Sequence, residues 1–160
     1  MRALPVAPCL ALIHAFEGKD GKFETVRAQD PGGLWEIGWS HRLTGRDDPL
    51  WDRMIGTDAE ADALAIEDLT LAATGVFASL GDYPSSRLTD NQYAALIDFT
   101  YNEGVGRFAT STLCHFVKMG SLAYVPAELA KWVYGRVNGV ETKLEGLVRR
   151  RNAETQLWQI

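Results

Sequence analysis

This 160-residue chain is narrowed first by what it lacks. It has two cysteines, Cys9 and Cys114, and three histidines, His14, His41 and His115, so scattered that no metal-ligand spacing forms. Neither a metal nor a cofactor is expected. The two distant cysteines read as buried thiols of a protein made in a reducing compartment. Basic side chains are outnumbered 16 to 21, for a formal charge of −5. No basic surplus is present to displace counterions, which argues against nucleic acid as the partner. Long apolar runs are missing too. No segment reaches the roughly 18 apolar residues of a membrane-spanning helix, so stable membrane insertion is not expected. The apolar start, MRALPVAPCLALIHAF, is broken by Pro5 and Pro8. A secretory signal cut there would remove the helix that carries Glu17. Internal repeats, low-complexity tracts and linkers are absent as well, which points to one domain of ordinary globular composition, 46% hydrophobic and 23% charged.

What is present is a mixed architecture of class α+β. Pro8 suits a first helical turn, where its missing N–H costs nothing. Leu10, Ile13, His14 and Glu17 follow at three- and four-residue steps, and Gly18 ends the helix. Residues 22 to 43 read as a small antiparallel sheet with a turn at Asp30-Pro31-Gly32-Gly33. Alternation from Leu34 to His41 predicts one strand. Leu34, Glu36, Gly38 and Ser40 share one face of it; Trp35, Ile37, Trp39 and His41 share the other. The small residues Gly38 and Ser40 beside Glu36 leave room for a ligand to approach the backbone. Thr57-Asp58-Ala59-Glu60 is a capping box that opens a long helix to about Leu80. Pro84-Ser85-Ser86 reads as a loop, and Thr89-Asp90-Asn91-Gln92 as a second capping box. Further helices are predicted over 107–118, 126–134 and 144–158, with a connection over 135–139. The expected layout is a single domain, 1–160. It has a β lobe over about 18–56, a helical lobe from 1–17 and 81–160, and a bridging helix over about 57–80.

Three carboxylates, Glu17, Asp30 and Glu36, fall at a helix end, a turn entry and a strand. Carboxylates gathered on irregular backbone beside a rigid helix suit acid–base work. Glycoside hydrolysis needs that set: one acid protonates the leaving oxygen, and a second carboxylate activates water or attacks the sugar. Glu17, at a helix end among apolar neighbours, suits the acid. Asp30, on a turn, suits the base. Each also has a plain structural role: Asp before Pro-Gly is a common turn former. On the last helix Arg151 falls inside the apolar stripe of Leu144, Leu147, Val148, Thr155 and Trp158. A guanidinium there needs a carboxylate partner, such as Glu154 or another structural acid.

The blocks Ile13-His14-Ala15-Phe16-Glu17-Gly18 and Asp30-Pro31-Gly32-Gly33-Leu34-Trp35-Glu36-Ile37-Gly38-Trp39-Ser40-His41 resemble the phage-type lysozymes, the endolysin muramidases. So do Leu88 to Leu96, Phe99 to Gly106, Ser111-Thr112-Leu113 and Gly146 to Glu154, in order along most of residues 10–158. The resemblance implies a lysozyme-like fold, with a substrate cleft between the sheet and helical lobes. It implies cleavage of the β-1,4 bond between N-acetylmuramic acid and N-acetylglucosamine in bacterial peptidoglycan. The family's catalytic Glu falls on Glu17 and its Asp on Asp30. The resemblance also suggests that Arg151 holds Glu17 in place; Asn102 is a candidate hydrogen-bond donor to the sugar's N-acetyl group. His41 ties the sheet to the helical lobe.

Two departures stand out. The interval from Glu17 to Asp30 is about four residues longer than the family's, with Lys19-Asp20-Gly21-Lys22 as the insertion, a change that loop entropy tolerates. Glu36 stands where the family has Thr, whose hydroxyl helps hold the attacking water. A carboxylate there is a candidate base in place of Asp30, or a nucleophile. The expectation is therefore a monomeric endolysin that waits in the host cytoplasm until a separate holin-like partner opens the membrane, then cuts the wall in the periplasm. The rivals are a lytic transglycosylase, which needs only one catalytic Glu, and an inactive lysozyme-fold protein that binds peptidoglycan.

Overall fold

A computed structural model describes residues 2–19, 21–30, 32–137 and 139–159, the side chain of Tyr83 excepted. The first helix, α1 (Val6–Phe16), carries Pro8 in its first turn and buries Cys9, Leu12 and Ile13. Glu17 N–H closes the last turn on Ile13 O at 2.8 Å, and Gly18 leaves the helix at φ 75°. Only glycine fits there: a Cβ on Gly18 would lie 2.2 Å from Lys22 O. Lys19 and Lys22 exchange backbone bonds of 2.8 and 3.0 Å, so the two ends of the expected insertion are tied together. Its Asp20 lies outside the described residues.

Strands β1 (Glu24–Gln29), β2 (Trp35–Gly38) and β3 (His41–Arg42) form an antiparallel sheet in that order. Ala28 pairs with Glu36 and Gln29 with Trp35, and the register shifts on the way to the Glu24–Gly38 pair. The Asp30 turn is present. Gly33 N–H donates to Asp30 O at 2.9 Å, and Leu34 N–H donates to Asp30 Oδ1 at 2.8 Å. Pro31, part of the expected turn, lies outside the described residues. The single strand expected over Leu34–His41 is corrected. The chain reverses at Trp39-Ser40, so Ile37 pairs with His41 and Glu36 with Arg42. Two left-handed residues make the reversal, Gly38 at φ 65° and Ser40 at φ 61°. Trp39 and His41 therefore do not continue the face of Trp35 and Ile37. Trp39 instead packs edge-on against Phe23 and donates its indole N–H to Asp62 Oδ1 at 2.9 Å.

Helix α2 (Asp58–Leu80) opens on Thr57, whose Oγ1 accepts from Glu60 N–H at 3.2 Å. The return bond of the capping box comes from one residue earlier than expected: Glu60 Oε2 accepts from Gly56 N–H at 2.8 Å. Its alanines make α2 long and apolar enough, by length and composition, to cross a membrane, with a mean hydropathy of 1.4 over an 18-residue window. The simple count of apolar runs missed this, because Glu67 and Asp68 interrupt the helix. Burial of Ala61, Leu64, Ala65, Leu69, Ala72, Ala73 and Val76 is what a core helix shows as well.

After α2 the expected loop at Pro84 is a short helix, α3 (Asp82–Ser86). Helix α4 (Asp90–Glu103) has its complete Thr89–Gln92 capping box and buries every residue from Tyr93 to Thr100. The helix expected over 107–118 is two, α5 (Val105–Thr110) and α6 (Thr112–Lys118). Ser111 breaks it with an extended backbone and caps the second piece through Cys114 N–H at 3.0 Å. A 3-10 turn (Leu122–Tyr124) leads into α7 (Val125–Leu129), shorter than expected. The expected connection at 135–139 is part of a hairpin, β4 (Tyr134–Val137) with β5 (Val140–Lys143). Its signal was legible: Asn138-Gly139 between short apolar-polar segments favours a two-residue turn. Asn138 itself lies outside the described residues. Helix α8 (Glu145–Gln159) ends the chain. The chain divides into two compact units, Ile13–Asp68 and Met1–Leu12 with Leu69–Ile160. The division falls within α1 and within α2.

Candidate active site

The unit Ile13–Asp68 carries Glu17, Asp30 and Glu36 at the end of α1, at the β1–β2 turn and on β2. All three are half-buried. Glu36 feels the charges of the other two. Burial pushes the Glu36 pKa above the ordinary carboxyl range, and the charges of Asp30, Glu17 and then Glu24 push it further. A hydrogen bond from Ser40 Oγ to Glu36 Oε1, 3.4 Å, acts in the opposite direction. Asp30 commits Oδ1 to Leu34 N–H, so it shapes the turn as well as adding charge.

Gly38 differs from its expected part. Its open side faces α2, where a Cβ would come 3.6 Å from Leu64 Cδ1 and 3.9 Å from Ala61 Cα. It lets the hairpin lie against the helix and does not clear space on the Glu36 side. His41 holds β3 to α2, with Nδ1 2.9 Å from Asp68 Oδ2. That hydrogen bond raises the His41 pKa, against the lowering effect of burial. A second clasp was missed in the sequence. Asp62 on α2 takes both His14 Nε2 at 2.7 Å and the Trp39 indole, and so fixes the end of α1 beside the hairpin.

The other unit holds Asn102 and Arg151. Arg151 is buried, with its Nη2 2.6 Å from Asn102 Oδ1 and 3.0 Å from Glu154 Oε1. Glu154, the acid named from the stripe, thus lies beside it, and Glu103 Oε1 lies 4.0 Å from its Nη1. The bond also orients Asn102: with Oδ1 turned to the guanidinium, the amide offers its N–H groups elsewhere. Next to it Arg150 grips Asp98. Burial alone would raise Asp98, but the two guanidiniums hold its carboxyl down, while burial and the neighbouring Asp98 keep Glu154 well above the ordinary range. Glu154 accordingly keeps its proton most readily in this group. Asp98 was missed, though an acid inside the apolar run Ala94–Phe99 signals a buried cation partner. Among the described residues no group of three or more His, Cys, Asp or Glu is arranged to hold a metal ion.

The phage lysozyme family matches residues 15–154, which takes in Glu17, Asp30, Glu36, Asn102 and Arg151. The chain belongs to that family. Members similar to it include the endolysin of Acyrthosiphon pisum secondary endosymbiont phage 1, 34% identical over 152 residues and covering 94% of each chain. The SAR-endolysin of Enterobacteria phage PA-2 is 30% identical over 157 residues, covering 96% of this chain and 88% of its own. Among solved structures, the muramidase domain of SpmX from Asticaccaulis excentricus superposes with a TM-score of 0.78 at 29% identity, covering 96% of each. The chain is a lysozyme-type glycosidase with the α+β lysozyme fold, as the resemblance of its motif blocks implied.

Proposed function

We propose that the protein is a muramidase that hydrolyses the β-1,4 bond between N-acetylmuramic acid and N-acetylglucosamine in bacterial peptidoglycan. Glu17 gives its proton to the glycosidic oxygen as the bond to the anomeric carbon breaks. Asp30 or Glu36 then takes a proton from water, whose hydroxide adds to that carbon, or attacks the carbon directly. The observation that carries this is the setting of Glu36, half-buried on the same unit as Glu17 and Asp30: burial first, and then the charges of Asp30 and Glu17, push its pKa up. A carboxylate whose pKa is raised is a better base near neutral pH than an ordinary one. That supports Glu36 as a working group at a position where the resemblance leads to Thr. Asn102, oriented by Arg151, suits the carbonyl of an N-acetyl group, since it offers donors.

The protein is synthesised in the host cytoplasm and acts on the wall in the periplasm as a monomer, after a holin-like partner has opened the membrane. The similarity to endolysins supports action on the wall. Digestion of purified sacculi, with reducing ends counted and product anomers followed by NMR, tests the assignment. New muramic reducing ends are expected, and the anomer formed first distinguishes attack by water from attack by a carboxylate. Products with 1,6-anhydromuramic ends would instead mark a transglycosylase. Binding without new ends would mark an inactive wall-binding protein.

A further inference from the structure

Ser40 is the one non-glycine residue among those described with its backbone in the left-handed region, at φ 61°. An L side chain is disfavoured there and glycine is not. A serine held in this conformation needs a compensating interaction. The one its side chain makes runs back four residues along the hairpin: Oγ donates to Glu36 Oε1. Directly across from Glu36 on β3 stands Arg42, which is exposed. The other charged groups that bear on Glu36 are acids: Asp30 at the turn, Glu17 at the end of α1 and Glu24 on β1.

We infer that Ser40 is a positioning residue for the Glu36 carboxylate: its hydroxyl, bought with a left-handed backbone, fixes one Glu36 oxygen and leaves the other to meet substrate or water. The inference rests on Glu36 taking part in the reaction. A hydroxyl that donates to a carboxylate favours its ionised form. Ser40 therefore opposes the three neighbouring acids and keeps Glu36 available as a base at lower pH than they alone would allow. The tight turn explains why the position is left-handed. The side chain explains why it is not glycine.

Ser40→Gly and Ser40→Ala separate the two effects. Glycine relieves the backbone and removes the hydroxyl; alanine removes the hydroxyl alone. Both variants are expected to lower kcat on sacculi by about threefold to tenfold, with KM little changed. Both should move the acid limb of the pH profile to higher pH by about half a unit. Only Ser40→Gly should also melt at a higher temperature than the parent. In a Glu36→Gln background, Ser40→Gly should no longer move the acid limb. A Ser40→Gly variant with the parent's kcat and pH profile, while Glu36→Gln has lost the rate, would overturn the positioning role alone. A Glu36→Gln variant with the parent's rate would overturn the role of Glu36, and the inference with it.

Discussion

Arg150 holds Asp98 through two parallel hydrogen bonds, Nε to Oδ2 at 2.9 Å and Nη2 to Oδ1 at 2.7 Å, with both side chains out of water. Breaking such a pair leaves a buried charge with no partner. Asp98→Ala is expected to cost about 3–5 kcal/mol in urea unfolding, whereas replacing both partners with apolar residues of similar volume should cost much less. Equal losses in the single and double variants would refute the pairing as the source of the effect.

Asp30 has two parts to separate. Asp30→Asn keeps an Oδ1 for Leu34 N–H and removes the charge; Asp30→Ala removes both. The asparagine variant should melt with the parent yet lose about a hundredfold in lytic rate. The alanine variant should in addition lose roughly 1 kcal/mol of stability. Parent-like activity in Asp30→Asn would confine Asp30 to the turn.

The His41–Asp68 bond gives stability a pH dependence of defined sign. The folded-state pKa of His41 is raised, so its contribution is fully present below the unfolded value of about 6.5 and fades as pH rises through the folded value. His41 is only half out of water, so the effect stays below about 1 kcal/mol after solvent screening. NMR titration should place the His41 midpoint above 6.5, and Asp68→Asn should bring it down. The gap in stability between the parent and Asp68→Asn should be larger at pH 5.5 than at pH 8.5. A constant gap would dissociate the bond from the titration.

Gly75 lies in the interior of α2, where alanine ordinarily stabilises a helix by about 1 kcal/mol. Here a Cβ would meet Val105 Cγ2 at 2.4 Å and Cγ1 at 2.7 Å. Crowding should win: Gly75→Ala is expected to destabilise by about 1–3 kcal/mol, and adding Val105→Ala should recover part of it. Thermal melts of the single and double variants decide the sign.

The expected strand over 34–41 failed for an instructive reason. Alternation of apolar and small residues was real, but Ser40 carries no sequence mark of a left-handed backbone. Helix starts were legible because caps are local. Thr57 and Thr89 each accept from the N–H three residues on, and both were found. The β4–β5 hairpin also has a local mark in Asn138-Gly139, which favours a turn between strands over a plain connection. Glu17, Asp30 and Glu36 were singled out by type and setting, and Arg151 by its place in an apolar stripe. Asp62, Asp68 and Asp98, which hold Trp39, His41 and Arg150, were not, because each partner lies more than twenty residues away.

The sequence by itself determined the end of α1 at Gly18, the turn at Asp30, the capped helices and the family. Turn chemistry and caps act over a few residues, and ordered motif blocks survive without knowledge of contacts. Only the tertiary structure decided that the hairpin reverses at Ser40, that Glu36 is pushed up, and that Arg151 answers to Glu154 and Asn102. Desolvation and summed charge depend on which distant residues the fold brings together, and neither has a period or a spacing along the chain.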